Sequence, residues 1–232
     1  MSIAVAVAGS AGRVWTLANG VFPSNCYLHA TDVPGECILV DPGLDAERIE
    51  QALSALALTP RAVVCTHGHF DHAGSAAHFQ ERHGCPVYLH ERDLRTLGAS
   101  NFLLMAFRIP ARVRQPRPER VDDGTPALDI GGLAVRWHPV PGHTPGSCAI
   151  EIGKALFTGD TLYARGVGLA GLPGEDATQL RRSVRSILDG FDDDTLILPG
   201  HGESATLGWI RDHNDALRGF LEPAPCTPAS SS

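Results

Sequence analysis

Four side chains able to bind a metal fall within six residues: His67, His69, Asp71 and His72, in Thr66-His67-Gly68-His69-Phe70-Asp71-His72. Alternate residues of an extended segment project to one side, so His67 and His69 face the same way and Asp71 continues their row. His72 turns off where a helix begins. This spacing lets His67 and His69 hold one cation while Asp71 and His72 reach a second beside it. With 11 histidines in 232 residues, a His-x-His-x-Asp-His run arises by accident roughly 0.002 times in such a chain, so the motif is specific. A solvated histidine-rich turn would explain the cluster alone. It does not explain three further candidates, each beside glycine after an apolar run. These are His143 in Pro-Gly-His-Thr-Pro-Gly-Ser (141–147), Asp160 in Phe-Thr-Gly-Asp-Thr (157–161) and His201 in Leu-Pro-Gly-His-Gly (198–202). Glycine there lets the backbone come close to an ion. The chemistry of such a centre is the activation of water for hydrolysis.

These residues need elements to carry them. Residues 13–17, 25–30 and 36–40 read as short strands, the last ended by the turn Asp41-Pro42-Gly43. Asp45 opens a helical pattern through Ile49, Leu53 and Leu56, closed by Pro60. Residues 62–65 form a short buried strand. A helix over about 71–82 follows the histidine cluster, then a strand at 87–89 and a short helix from Glu91. Residues 98–120 differ: a large apolar run is followed by prolines and by Arg108, Arg112, Arg114 and Arg117. They read as a lid or insertion. Strands are expected at 127–130, 133–138, 148–152, 155–157 and 195–198, and helices at about 176–188 and 206–221. The second half loosely echoes the first, and two sheets packed face to face with helices outside would accommodate that order. One domain over 1–222 is expected, followed by a disordered tail at 223–232.

Composition narrows the classes. Hydrophobic residues are 43% and charged residues 19%, which excludes wholesale disorder. The net charge is −7 and Lys154 is the sole lysine, so a nucleic-acid partner is not expected. No stretch approaches the roughly 18 apolar residues of a membrane span. The six cysteines form no Cys-x-x-Cys pair, and a reducing, cytoplasmic compartment fits them. The small, apolar start reads as a frayed end or a first strand.

The chain resembles the metallo-β-lactamase superfamily, in particular its glyoxalase II-like hydrolase branch. The resemblance runs from about Asn25 to Leu217 and rests on THGHFDHAG (66–74), DPG (41–43), HTPGS (143–147), FTGDTL (157–162) and LPGHG (198–202). It implies an α/β fold, a four-layer αββα sandwich of two mixed sheets with the metal pair at one edge. It implies one metal on His67, His69 and His143, another on Asp71, His72 and His201, and Asp160 bridging both. Imidazole and carboxylate donors suit zinc, with iron or manganese as alternatives. Two such ions can hold a bridging hydroxide. The implied activity is hydrolysis of a small-molecule thioester, as in hydroxyacylglutathione hydrolase, or of a related ester. A thiolate with pKa near 8.5 leaves with little protonation. An alkoxide needs an acid, and Asp71 is the nearest.

The resemblance also frames the remaining residues. Asp41 resembles a carboxylate that orients a metal ligand from behind. Tyr163 sits where related metal-dependent lactonases carry a tyrosine that polarises the substrate carbonyl, which makes lactone hydrolysis the first alternative. A mononuclear-iron persulfide dioxygenase, using His67, His143 and Asp160, is the second. The β-lactamase branch does not usually include the bridging Asp160. The loop 166–174 lacks the Arg and Asp of the glyoxalase II-like pattern, and only a helix and a tail follow His201. The substrate pocket is therefore expected to come from elsewhere, with Phe102, Met105 and Phe107 as its apolar wall. A homodimer contact is the other use for that surface. Cys26, Cys65 and Cys148 read as small core residues.

Overall fold

The computed structural model describes residues 4–7 and 13–222. The expected tail at 223–232 lies outside the described residues.

Two mixed sheets face each other. The first contains β1 (Ala4–Val7), β2 (Val14–Ala18), β3 (Asn25–Ala30), β4 (Glu36–Val40), β5 (Thr59–Val64), β6 (Val87–His90) and β7 (Glu119–Val121), in sequence order. Its first four strands are antiparallel, and β4 to β7 run parallel. The second contains β8 (Leu128–Ile130), β9 (Leu133–Pro139), β10 (Cys148–Ile152), β11 (Ala155–Gly159), β12 (Leu196–Pro199) and β13 (Ala205–Thr206), ordered β13-β12-β11-β10-β9-β8. Only its β11–β12 pair is parallel.

Period-two alternation explains the layering. In β4, Ile38 and Val40 enter the core between the sheets, while Cys37 and Leu39 enter a second core beneath helices. In β11, Ala155 and Phe157 join the inter-sheet core, and Leu156 packs against the helices of the other flank. Strands buried on both faces therefore read as continuous apolar runs. The first flank holds α1 (Ala46–Leu56), α2 (Phe70–Ala73), α3 (Ala76–His83) and α4 (Leu94–Ala106); the second holds α5 (Ala177–Gly190), α6 (Leu207–His213) and α7 (Asp215–Leu221). This is the expected αββα sandwich. Among the described residues, no helix is long and apolar enough to cross a membrane.

Three local expectations need correction. The helix expected over about 71–82 is two helices, because the chain steps aside at Gly74–Ser75, where the Ser75 N–H donates to the Pro42 carbonyl (2.9 Å). The final helix breaks at Asn214, whose side-chain oxygen accepts the Leu217 N–H (2.9 Å) and the Gly166 N–H (2.8 Å). That break ties the loop after β11 to the helical layer. The short helix at Glu91 is one 3₁₀ turn that runs into the 13-residue α4. The segment 98–120 thus starts inside a helix and ends in β7. Between them Val113 is buried, and Ile109 and Ala111 pack against the same core.

Candidate metal centre

The ligand-type residues all leave the ends of strands along one edge of the sandwich. Asp41 follows β4, and His67 to His72 follow β5. His143 lies between β9 and β10, Asp160 follows β11, and His201 follows β12. In parallel strands, carboxyl ends are where connecting loops build sites. Backbone bonds draw these loops together across the two sheets. Cys148 N–H donates to the Thr66 carbonyl (2.9 Å), Gly200 N–H to the Gly159 carbonyl (2.8 Å), and Asn25 N–H to the Gly200 carbonyl (2.7 Å). A Cβ on Gly200 would strike the Asp160 carboxylate and the His72 ring, so only glycine lets the β12 loop pass there.

All seven side chains implied by the resemblance converge. His67 Nε2 and His143 Nε2 approach His69 Nδ1 at 3.1 and 3.0 Å. Asp71 Oδ2 lies 3.5 Å from His72 Nε2 and 3.4 Å from His201 Nε2. Asp160 stands between the groups: Oδ1 is 3.4 Å from His72 Nε2, and Oδ2 is 3.4 Å from His143 Nε2 and 3.3 Å from His201 Nε2. Three sets of donor atoms could each close on an ion: His67, His69 and His143; His67, His72 and Asp160; and Asp71, His72 and His201.

The donor chemistry fits a metal. His72 Nε2 and Asp160 Oδ1 are buried without a hydrogen-bond partner, and such atoms are rare unless something else satisfies them. Burial, then the neighbouring His72, His69 and His143 rings, holds His67 well below the ordinary imidazole range. Burial, then His143, pushes His69 down to about 4. Both are therefore neutral, as a ligand must be. Burial opposes charge on His72 as well, yet Asp160 and Asp71 outweigh it and raise His72. Burial likewise opposes charge on His201, but hydrogen bonds that it donates to Asp160 and Asp71 bring it up to about 9. Burial disfavours ionisation of Asp71 and Asp160, but the His72 charge and the His201 contact keep both low.

The partners behind these ligands are equally ordered. Asp41 adopts φ +50°, a left-handed conformation that aspartate tolerates better than most residues. Its carboxylate accepts from the Thr66 N–H and hydroxyl, both at 2.7 Å, and lies 3.0 Å from His72 Nδ1. The expected orienting role thus falls on His72, whose free nitrogen is turned to the centre. His143 Nδ1 meets the Gly168 carbonyl (3.0 Å) and Glu175 (3.4 Å).

Asp93 was not singled out in the sequence. It occupies the N-cap position of α4 but makes no cap bond. Its carboxylate instead accepts from Gly68 N–H (2.7 Å), Gly146 N–H (2.8 Å) and the Thr144 hydroxyl (2.8 Å). One fully buried carboxylate thereby clamps the His67–His69 loop to the His143 loop. An aspartate before a helix reads as a cap, and that ordinary meaning hides this one. A Cβ on Gly146 would meet the Asp93 backbone at 2.7 Å, so the clamp requires glycine there.

Above the centre is a cavity of about 440 Å³. Tyr163 and Phe107 line it, whereas Phe102 and Met105 do not. These two are 65% and 69% exposed, which corrects the expectation that they wall the pocket. Helical phase explains the split. Leu104 enters the core, Leu103 and Phe107 turn to the cavity four residues apart, and Phe102 and Met105 fall on the remaining face. The Tyr163 ring lies 5.9 Å from the His201 ring; burial, then Asp160, raises its hydroxyl above the usual phenol range, so it stays a donor. Cys26, Cys65 and Cys148 are buried free thiols, with burial raising each, as core residues would be.

The sequence model of the metallo-beta-lactamase superfamily matches residues 19–214. An uncharacterized protein of Mycobacterium tuberculosis is 36% identical over 219 residues, which cover 87% of this chain and 96% of the relative. Hydroxyacylglutathione hydrolase GloC of Haemophilus influenzae is 31% identical over 200 residues, covering 84% and 93%. Among solved structures, the B3 metallo-beta-lactamase BLEG-1 superposes with a TM-score of 0.79 at 32% identity, covering 88% of this chain and 99% of that one. TTHA1623, crystallised in a di-iron-bound form, superposes with a TM-score of 0.77 at 31% identity, covering 86% and 98%.

Proposed function

The chain belongs to the metallo-beta-lactamase superfamily, and from that premise we propose that it is a metal-dependent hydrolase cleaving a small-molecule thioester or closely related ester. The position of Asp160 carries this reading. It stands 3.3–3.4 Å from His72, His143 and His201, where one carboxylate can serve two ions at once. His67, His69 and His143 would hold the first, and Asp71, His72 and His201 the second. Two zinc ions suit this set, and iron or manganese accept the same donors. Ions bound there supply Lewis acidity and bring the pKa of water to about 7.

The chain's own residues do the rest. His143 and His72 are held by their far nitrogens, so the centre is rigid before substrate arrives. Tyr163 places a protonated phenol on the cavity wall, able to donate to a substrate oxygen. Asp71, on the cavity floor, is held ionised by His72 and His201, so it can take a proton from the attacking water and pass it to a leaving group. A thiolate needs little such help, which favours the thioester. The likeness to GloC supports the same choice.

Metal analysis with a panel of thioesters, lactones, a cephalosporin and glutathione persulfide tests the reading. Two metals per chain with thioester turnover well above the others is the expected result. One iron with oxygen consumption would replace it with the dioxygenase alternative, and cephalosporin turnover in excess of thioester turnover would move the chain toward BLEG-1. Lactone hydrolysis is the second reading, favoured by Tyr163. If it holds, Tyr163→Phe should lower lactone kcat more than about tenfold.

A further inference from the structure

The cavity over the metal centre has two kinds of lining. Its polar residues are the metal-site side chains and Tyr163. Its walls are apolar: Phe22, Phe70, Leu103, Phe107, Val167 and Leu169 are among them, and no Lys or Arg lines it among the described residues. Phe70 ties the wall together, with ring centroids 5.3 Å from Phe22 and 6.1 Å from Phe107. Arg165, just past Tyr163 in the chain, is engaged elsewhere. It pairs with Glu203 at 3.2 Å and lies over the Trp209 ring at 5.2 Å.

The opposite wall is held in place. Glu175 accepts from the Ala170 N–H (2.9 Å) and Gly171 N–H (2.7 Å), Gly166 N–H donates to Asn214, and the Gly168 carbonyl meets His143. The charge that Glu175 brings beside this wall is negative. Glutathione carries two carboxylates, and burying them against these walls would cost their hydration with no Lys or Arg to pair with them. An uncharged hydrocarbon has the opposite balance: each buried methylene favours it by about fourfold in binding.

We propose that this cavity takes the acyl group of the substrate, and that the group is an uncharged alkyl or aryl chain larger than acetyl, with an anionic carrier such as glutathione excluded from it. The proposal rests on the hydrolase reading above and deepens it. Chain length, and not the charge of the thiol carrier, sets kcat/KM.

The test uses acetyl, butyryl, hexanoyl and octanoyl thioesters, each on uncharged N-acetylcysteamine and on glutathione. kcat/KM should rise at least about tenfold from acetyl to hexanoyl and differ little between carriers. In parallel, calorimetry compares octanoate with acetate as ligands of the metal-loaded protein, and octanoate should bind at least about tenfold more tightly. Phe107→Ser and Leu169→Ser alter side chains that are 48% and 39% exposed, so folding is spared. Each should lower the octanoyl-to-acetyl ratio at least about threefold. A flat chain-length profile, or a large preference for glutathione, overturns the proposal and leaves thioester hydrolysis standing. Tight octanoate binding without cleavage of any thioester does the reverse.

Discussion

The two halves of the metal centre use the same side chain in opposite states. In the half built on His67, His69 and His143, burial and mutual repulsion among imidazoles keep His67 and His69 neutral. In the half built on Asp71, His72 and His201, facing carboxylates hold protons on His72 and His201. The first half stands ready for a metal, while the second must exchange protons for one. The difference lies in the neighbours, since an imidazole facing imidazoles loses charge and one facing carboxylates gains it.

Asp160 joins the halves, so its replacement breaks the comparison most severely. Asp160→Asn should lower kcat by on the order of 10³-fold and take the metal content from two per chain to one, as read by elemental analysis. Acid should separate the halves without mutation. His201 has its pKa raised from 6.5 to about 9. Metal entry expels that proton, so affinity of the second half should fall as pH falls, by about tenfold per pH unit for each proton expelled. Metal titrations at several pH values should show one site weakening from pH 8 to pH 6 and the other holding. Stripped of metal, the sign reverses. The pairing of His201 with Asp71 and Asp160 stabilises the fold fully below pH 6.5 and is lost as pH rises through about 9. Thermal denaturation of the stripped protein should follow that course.

Two substitutions behind the ligands sharpen the contrast. Asp41→Asn loosens His72 and should weaken the second half about 10- to 100-fold in metal affinity, with the first half spared. Asp93→Asn reverses the pattern. It weakens the clamp on the Gly68 and Gly146 N–H groups, so the first half should lose about tenfold in affinity and the protein about 1–3 kcal/mol in stability. Equal losses at both sites for either variant would show that the halves do not act separately.

Much of this was legible in the chain and some was not. Strands such as Glu36–Val40 and Cys148–Ile152 were plain because apolar runs between turn residues have few other uses. The strands β7 and β13 were not, since Glu119–Val121 and Ala205–Thr206 are too short to show a period. Their pairing comes from the neighbouring strand. Asn214 breaks a continuous helical pattern because its side chain caps the next helix at the Leu217 N–H, and the same oxygen holds the Gly166 N–H, a contact that only the fold supplies. Phe107 lines the cavity, whereas Phe102 and Met105 share its apolar character and face away. Composition carries no helical phase relative to a cavity.

By itself, the order of residues determined the donor set: local spacing puts His67, His69, Asp71 and His72 on one short segment, and strand-ending glycines mark His143, Asp160 and His201. Tertiary structure alone decided the opposite protonation of His67 and His69 against His72 and His201, the clamp at Asp93 and the uncharged walls above the centre. Spacing along a chain fixes which groups can meet a common ion. Burial and facing charges, which set protonation and selectivity, arise only when segments distant in the chain are brought together.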